Sequence, residues 1–136
     1  MVHDDTEKLT LNVVAHDLGR IDLLVTQGLY SSRSDFFRTA TRRQLEAHGD
    51  VIDSVLARDK WFVGYAHCSR AWFETQEGPV SLSVLGSLRI DDDVDPELAD
   101  HVLQSLRIRG ILRGPAEVLA RLAPKTDRGI RVQRGN

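Results

Sequence analysis

Seven polar side chains near the start of the chain have the types and spacing for nucleic-acid chemistry. Lys8, Thr10 and Asn12 recur at every second position, with Leu9, Leu11 and Val13 between them. A period of two predicts a half-buried strand. Its polar face presents an ammonium, a hydroxyl and a carboxamide. Lysine donates to guanine, threonine donates, accepts or meets a thymine methyl, and asparagine pairs bidentately with adenine. About twenty residues on, Ser31, Ser32, Arg33 and Ser34 gather three hydroxyls and a guanidinium where a second helix is expected to start. A helix start offers free N–H groups to phosphate. Contacts of that kind fix register on a duplex without reading its sequence.

The elements that would position these groups follow from periodicity. After the strand, Leu18, Ile21, Leu24 and Val25 form one helical stripe, so a helix is expected from about Asp17 to Gln27. Gly28 suits its C-terminus. Leu29–Arg33 reads as a turn, and Ser34 is expected to cap a second helix, with Asp35 in its first turn. That helix carries Phe36, Phe37, Ala40 and Leu45 and ends near Gly49, a natural hinge. A lone strand followed by two helices has no strand partner of its own, and its backbone groups need one. A second copy supplies it across a two-fold axis, as a two-stranded antiparallel ribbon. Leu9, Leu11, Val13, Leu18, Ile21, Phe36 and Phe37 would then form a shared dimer core. Such a ribbon fits the major groove.

With these residues in order, Lys8–His48 resembles the ribbon–helix–helix family of bacterial regulators, the Arc, MetJ and CopG-type repressors. The resemblance rests on the strand Lys8–Val13, the helix with Leu18, Ile21 and Leu24, and the phrase from Gly28 to Arg38. It implies base reading by Lys8, Thr10 and Asn12 and a phosphate clamp at Ser32, Arg33 and Ser34. It also implies double-stranded DNA as partner, a homodimer and a cytoplasmic, nucleoid-associated location. The strand brings one cation per subunit, fewer than a tight binder would want.

The second half reads as a small α/β domain. Phe62–Ala66, Val84–Leu88 and Ile108–Leu112 each place apolar residues around a glycine, and Gly64, Gly86 and Gly110 are 22 and 24 residues apart. Val94–Leu98 and Gly114–Leu119 follow the last two as similar phrases, with Pro96 and Pro115 suited to first helical turns. This spacing suggests a degenerate strand–turn–helix repeat stacked as a short solenoid; an ordinary α/β sensor domain with chance glycines is the alternative. The fold class expected is therefore α+β: a ribbon–helix–helix module over residues 1–49, an α/β oligomerisation or sensor domain over 50–124 and a basic flexible tail over 125–136. Open ends on the second domain would join dimers into tetramers or longer arrays.

Composition narrows the remaining classes. The chain has 136 residues, 41% of them apolar, and a net charge of −2. Charge is unevenly spread: Lys8, Arg20, Arg33, Arg38, Arg42 and Arg43 outnumber Asp17, Asp22, Asp35 and Glu46, and Asp91–Asp100 forms a separate acidic run. Arg38, Arg42 and Arg43 are expected on a solvated helix face. No apolar run approaches the ~20 residues of a membrane span, and the polar start does not resemble a signal peptide. The single cysteine, Cys68, rules out an intramolecular disulfide. No metal site is expected: His67 and Cys68 are strand neighbours and point to opposite faces. The acidic run lacks the glycine and distal glutamate of a calcium loop. No cofactor motif or catalytic constellation is present, so an enzyme is not expected. Two rivals to a repressor remain, an antitoxin whose second half neutralises a toxin and a self-assembling structural protein.

Overall fold

The computed structural model describes residues 6–129. They fall into two compact units, one spanning Lys8–Arg58 and the other beginning at Asp59. The division falls between Arg58 and Asp59, at the last residue of the third helix, which begins at Gly49.

The first unit holds three helices: α1 (Ala15–Thr26), α2 (Arg33–Ala47) and α3 (Gly49–Asp59), whose last residue already belongs to the second unit. Residues 8–14 lead into α1 without regular secondary structure. α1 ends in a complete left-handed cap. Gly28 has φ +82°, its N–H donates to the Val25 carbonyl and the Leu29 N–H donates to the Leu24 carbonyl, both at 3.0 Å. Only Ile21 is buried in this unit; Val13, Leu18, Leu24, Val25, Phe36 and Phe37 are half-buried. Tyr30, Phe36 and Phe37 stack edge to face, with centroid distances of 5.1 and 5.6 Å.

The second unit is a repeat of strand and helix: β1 (Phe62–Cys68), α4 (Arg70–Glu74), β2 (Val80–Ile90), α5 (Pro96–Val102), β3 (Leu103–Arg113), α6 (Ala116–Leu122), a 3₁₀ turn (Ala123–Lys125) and β4 (Thr126–Asp127). The strands stack in chain order as one parallel sheet, β1-β2-β3-β4. This is the solenoid-like arrangement that the glycine spacing predicts. Gly64, Gly86 and Gly110 lie side by side in register.

Even-numbered strand residues such as Val84, Leu88, Ile90, Leu106 and Ile108 meet Phe73 of α4, Ala99 and Val102 of α5, and Val118 and Leu122 of α6 in one continuous core. The helices therefore share one face of the sheet. Pro96 occupies the first turn of α5 as expected, whereas Pro115 precedes α6 as its N-cap. Strands β2 and β3 start well before the glycine-centred segments. The residues from Lys125 to Asp127 are not a free tail. The Lys125 ammonium donates to the carbonyls of Asp100 and Leu103, each at 2.9 Å, and β4 pairs with β3 at Leu106 and Arg107. Residues 130–136, the rest of that tail, lie outside the described residues.

Candidate nucleic-acid interface

The segment expected to read bases is exposed over most of its length. Lys8, Thr10 and Asn12 are exposed. Leu9 and Leu11 are exposed as well, at 77% and 58%, and Val13 is half-buried. Among the described residues this segment pairs with no strand. Two leucines held in water cost about 1.5–3 kcal/mol each relative to burial. The single chain therefore leaves the apolar side of the segment unpartnered, with Leu18, Phe36 and Phe37 incompletely covered.

The turn into α2 is built more tightly than its sequence suggests. The N-cap is Ser32, not Ser34: the Ser32 side chain, two residues ahead, accepts the Asp35 N–H at 3.1 Å. Asp35 returns the interaction, its carboxylate accepting the Ser31 N–H at 2.9 Å. This is a variant of the reciprocal capping box. Ser34 becomes an exposed residue of the first turn, beside the backbone N–H groups of Arg33 and Ser34, which have no intrahelical acceptor at that position.

Arg33 does not point freely to solvent. Its guanidinium forms a bidentate pair with Asp22 of α1, both contacts at 2.7 Å. The hydrogen bond from Arg33 holds the Asp22 carboxyl below the usual carboxylate range; burial opposes it, and the Arg33 charge adds to the lowering. The fork geometry of arginine suits this two-point contact. The pair ties α1 to the start of α2, so the helix start is braced from behind. Arg38, Arg42 and Arg43 stay exposed along α2.

The second unit carries a row of arginines that the sequence reading did not single out, with Arg107 paired to Asp59 and Arg109 to Asp127. On the face away from the helices, strand residues line up in rows: Val63 with Leu85 and Arg109, and His67 with Arg89 and Arg113. Arg107 and Arg109 lie over the Trp61 ring, 4.9 and 5.4 Å from its centroid. Arg107 also donates to Ser83 Oγ at 2.8 Å. Arg89 and Arg113 are direct cross-strand neighbours, an arrangement that costs stability between like charges. The alternation Arg107, Arg109, Arg113 was the available signal; the apolar glycine pattern around it masked it.

His67 and Cys68 do point apart. His67 pairs with the Asp91 carboxylate on the surface, and Cys68 enters the core. Burial, and then the nearby Asp91 charge, push the Cys68 thiol up to about 11. Among the described residues no three histidine, cysteine or acidic side chains gather around a common point. The acidic run is tied into the fold, with Asp91 on His67 and Asp95 beside Arg70. No described helix is long and apolar enough to cross a membrane.

No curated protein and no solved structure matches the chain. A family model does, over residues 4–119, a span that takes in both units and extends well past the part that carries the resemblance. With most of its length matched, the chain belongs to the Ribbon-Helix-Helix transcriptional regulator family.

Proposed function

We propose that the protein is a sequence-specific DNA-binding regulator, acting as a repressor and working as a homodimer in the bacterial cytoplasm. Lys8–Val13 of two copies pair as an antiparallel ribbon in the major groove. Lys8, Thr10 and Asn12 read base edges. Leu9, Leu11 and Val13 close over Leu18, Ile21, Phe36 and Phe37 of both copies. Ser31, Ser32 and Ser34 offer hydroxyls to phosphate, and the α2 start offers the N–H groups of Arg33 and Ser34. The Arg33 side chain braces that start through Asp22.

The observation that carries this reading is the exposure of Leu9 and Leu11 in a unit where only Ile21 is buried. Ordering each residue costs about 1–2 kcal/mol of backbone entropy, which one buried side chain does not offset. A second copy supplies the missing burial. The folded second unit favours a contact surface between regulators over the short disordered tail of an antitoxin.

The test is selection from a pool of random duplex DNA, followed by sequencing. The full chain is expected to enrich a short inverted repeat, and Thr10→Ala and Asn12→Ala to lose preference at defined positions of it. Enrichment of nothing, even at low salt, would remove the DNA-reading role and leave the self-assembling rival.

A further inference from the structure

The sheet face away from the helices sets two kinds of arginine side by side. Arg107 and Arg109 are committed within the fold. Both lie over the Trp61 ring, Arg107 pairs with Asp59 and donates to Ser83, and Arg109 pairs with Asp127. Further along the same strands, Arg89 and Arg113 are direct cross-strand partners, with His67 of β1 next to Arg89 in the same row. All three side chains of that row are exposed. The carboxylate beside them, Asp91, is taken up by His67. Among the described residues nothing forms a hydrogen bond or an ion pair with the Arg89 guanidinium.

Neighbouring strands lie about 4.8 Å apart, so the Arg89 and Arg113 side chains leave the sheet at roughly that separation. Like charges directly opposite each other across strands cost stability. An anion set between them reverses the sign of the interaction. Two planar guanidinium forks side by side can donate to separate oxygens of one phosphate, the partner that this geometry suits. Ser87, two residues before Arg89 on the same strand face, adds a hydroxyl donor. Sites for small ligands are concave and enclose them. An exposed row on an uncovered sheet face instead meets an extended polyanion.

We propose that Arg89, with Arg113 beside it, contacts backbone phosphates of duplex DNA, giving the second unit a share in DNA binding. The inference rests on the DNA-binding reading of the first unit. A chain held on a duplex by Lys8–Val13 keeps its second unit tethered to the same polyanion at high effective concentration, so that even a weak phosphate contact adds to affinity. Such a contact reads no sequence. It strengthens binding by an amount that falls as salt rises.

The test is the salt dependence of binding to the selected duplex, by fluorescence anisotropy, for the full natural chain, Arg89→Gln and Arg89→Lys. Each phosphate contact contributes about 0.9 to the slope of log K against log salt concentration. Arg89→Gln is expected to lower the slope by about that amount for each copy bound, to raise the dissociation constant severalfold at low salt and to leave the preferred sequence unchanged. Arg89→Lys keeps the charge and should restore the slope. Circular dichroism should not change, since the side chain is exposed; if Arg89→Gln does not fold, Ser87→Glu, which sets a carboxylate beside the pair, replaces it and should weaken binding in the same salt-dependent way. An unchanged slope in Arg89→Gln would overturn the inference and leave the ribbon reading standing on its selected sequence. So would a phosphate contact of the wrong kind, in which inorganic phosphate shifts NMR signals of the natural chain but not of Arg89→Gln while the slope on DNA stays the same. If no sequence is selected, yet Arg89→Gln flattens the slope on a mixed-sequence duplex, base reading fails and the phosphate contact stands. A natural chain that binds no duplex even at low salt would overturn both.

Discussion

The two units of this regulator solve the burial problem in opposite ways. From Asp59 onward, three helices close one face of a parallel sheet, and side chains such as Phe73, Leu103, Leu106, Ile108 and Leu122 are shut off from water within a single chain. Between Lys8 and Arg58, three longer helices bury only Ile21. Helix length is therefore no guide to self-sufficiency. α1 is capped at its C-terminus and α2 at its N-terminus, but their apolar stripes meet too little within one chain. A unit of this kind holds its information about association in what it leaves exposed.

The largest effect expected is on the first unit. Leu11→Asp places a charge where the ribbon would bury a leucine. It should abolish the ribbon contact and DNA binding, at a cost of several kcal/mol. The thermal transition of the second unit should persist, as read by circular dichroism on heating. Loss of both transitions together would mean the units are not energetically separate. Next comes the glycine row. Gly86→Ala must relieve both a left-handed φ and a clash with the Gly64 carbonyl, and should destabilise the second unit by more than the ~1–3 kcal/mol of backbone strain alone. Gly64→Ala meets only the strain within one chain and should cost less in urea unfolding. Equal costs would erase the distinction between inner and edge strands.

A smaller effect is expected on recognition. Thr10→Ala or Asn12→Ala should cost ~1–3 kcal/mol of discrimination between sites per lost base contact, with the dimer unchanged. Arg33→Gln should weaken binding on all sequences without altering the salt slope, since its guanidinium is held by Asp22. A flatter slope would place Arg33 on phosphate. The smallest effect is on pH dependence. The Cys68 thiol ionises near 9 when free and at about 11 in the fold. Between these values the unfolded chain has lost the proton and the folded chain keeps it, so stability falls as pH rises through that window. Below pH 9 the group adds no slope. Thiol labelling of the native protein at pH 8 should be slow, and rapid labelling would place Cys68 outside the core.

Much of this arrangement is legible in the chain. The helical stripe Leu18, Ile21, Leu24 and the cap at Gly28 locate α1 to within two residues, because local backbone preference and periodicity agree there. Glycine spacing gives the register of the sheet, since a parallel repeat puts equivalent residues side by side. The N-cap of α2 is not decided by sequence. Ser32 and Ser34 are both good caps, and the choice follows from Asp35 closing its carboxylate onto Ser31. The pairing of Arg33 with Asp22 depends on how α1 and α2 meet, which no local pattern encodes. The anchoring of Lys125 is hidden for the same reason, as its acceptors at Asp100 and Leu103 come from a preceding repeat. The alternation of Lys8–Val13 forms no strand within one chain, because among the described residues no other strand lies against it to complete a ladder.

That segment is where the account is most directly tested. Amide hydrogen exchange across Lys8–Val13 in the natural chain, at high and low protein concentration and in Leu11→Asp, reads its pairing without any assumption about DNA. Alternating protection through these six residues, lost on dilution and absent in Leu11→Asp, is the predicted result. Fast exchange of the whole segment at every concentration, with or without a selected duplex, would contradict the ribbon and the dimer built on it.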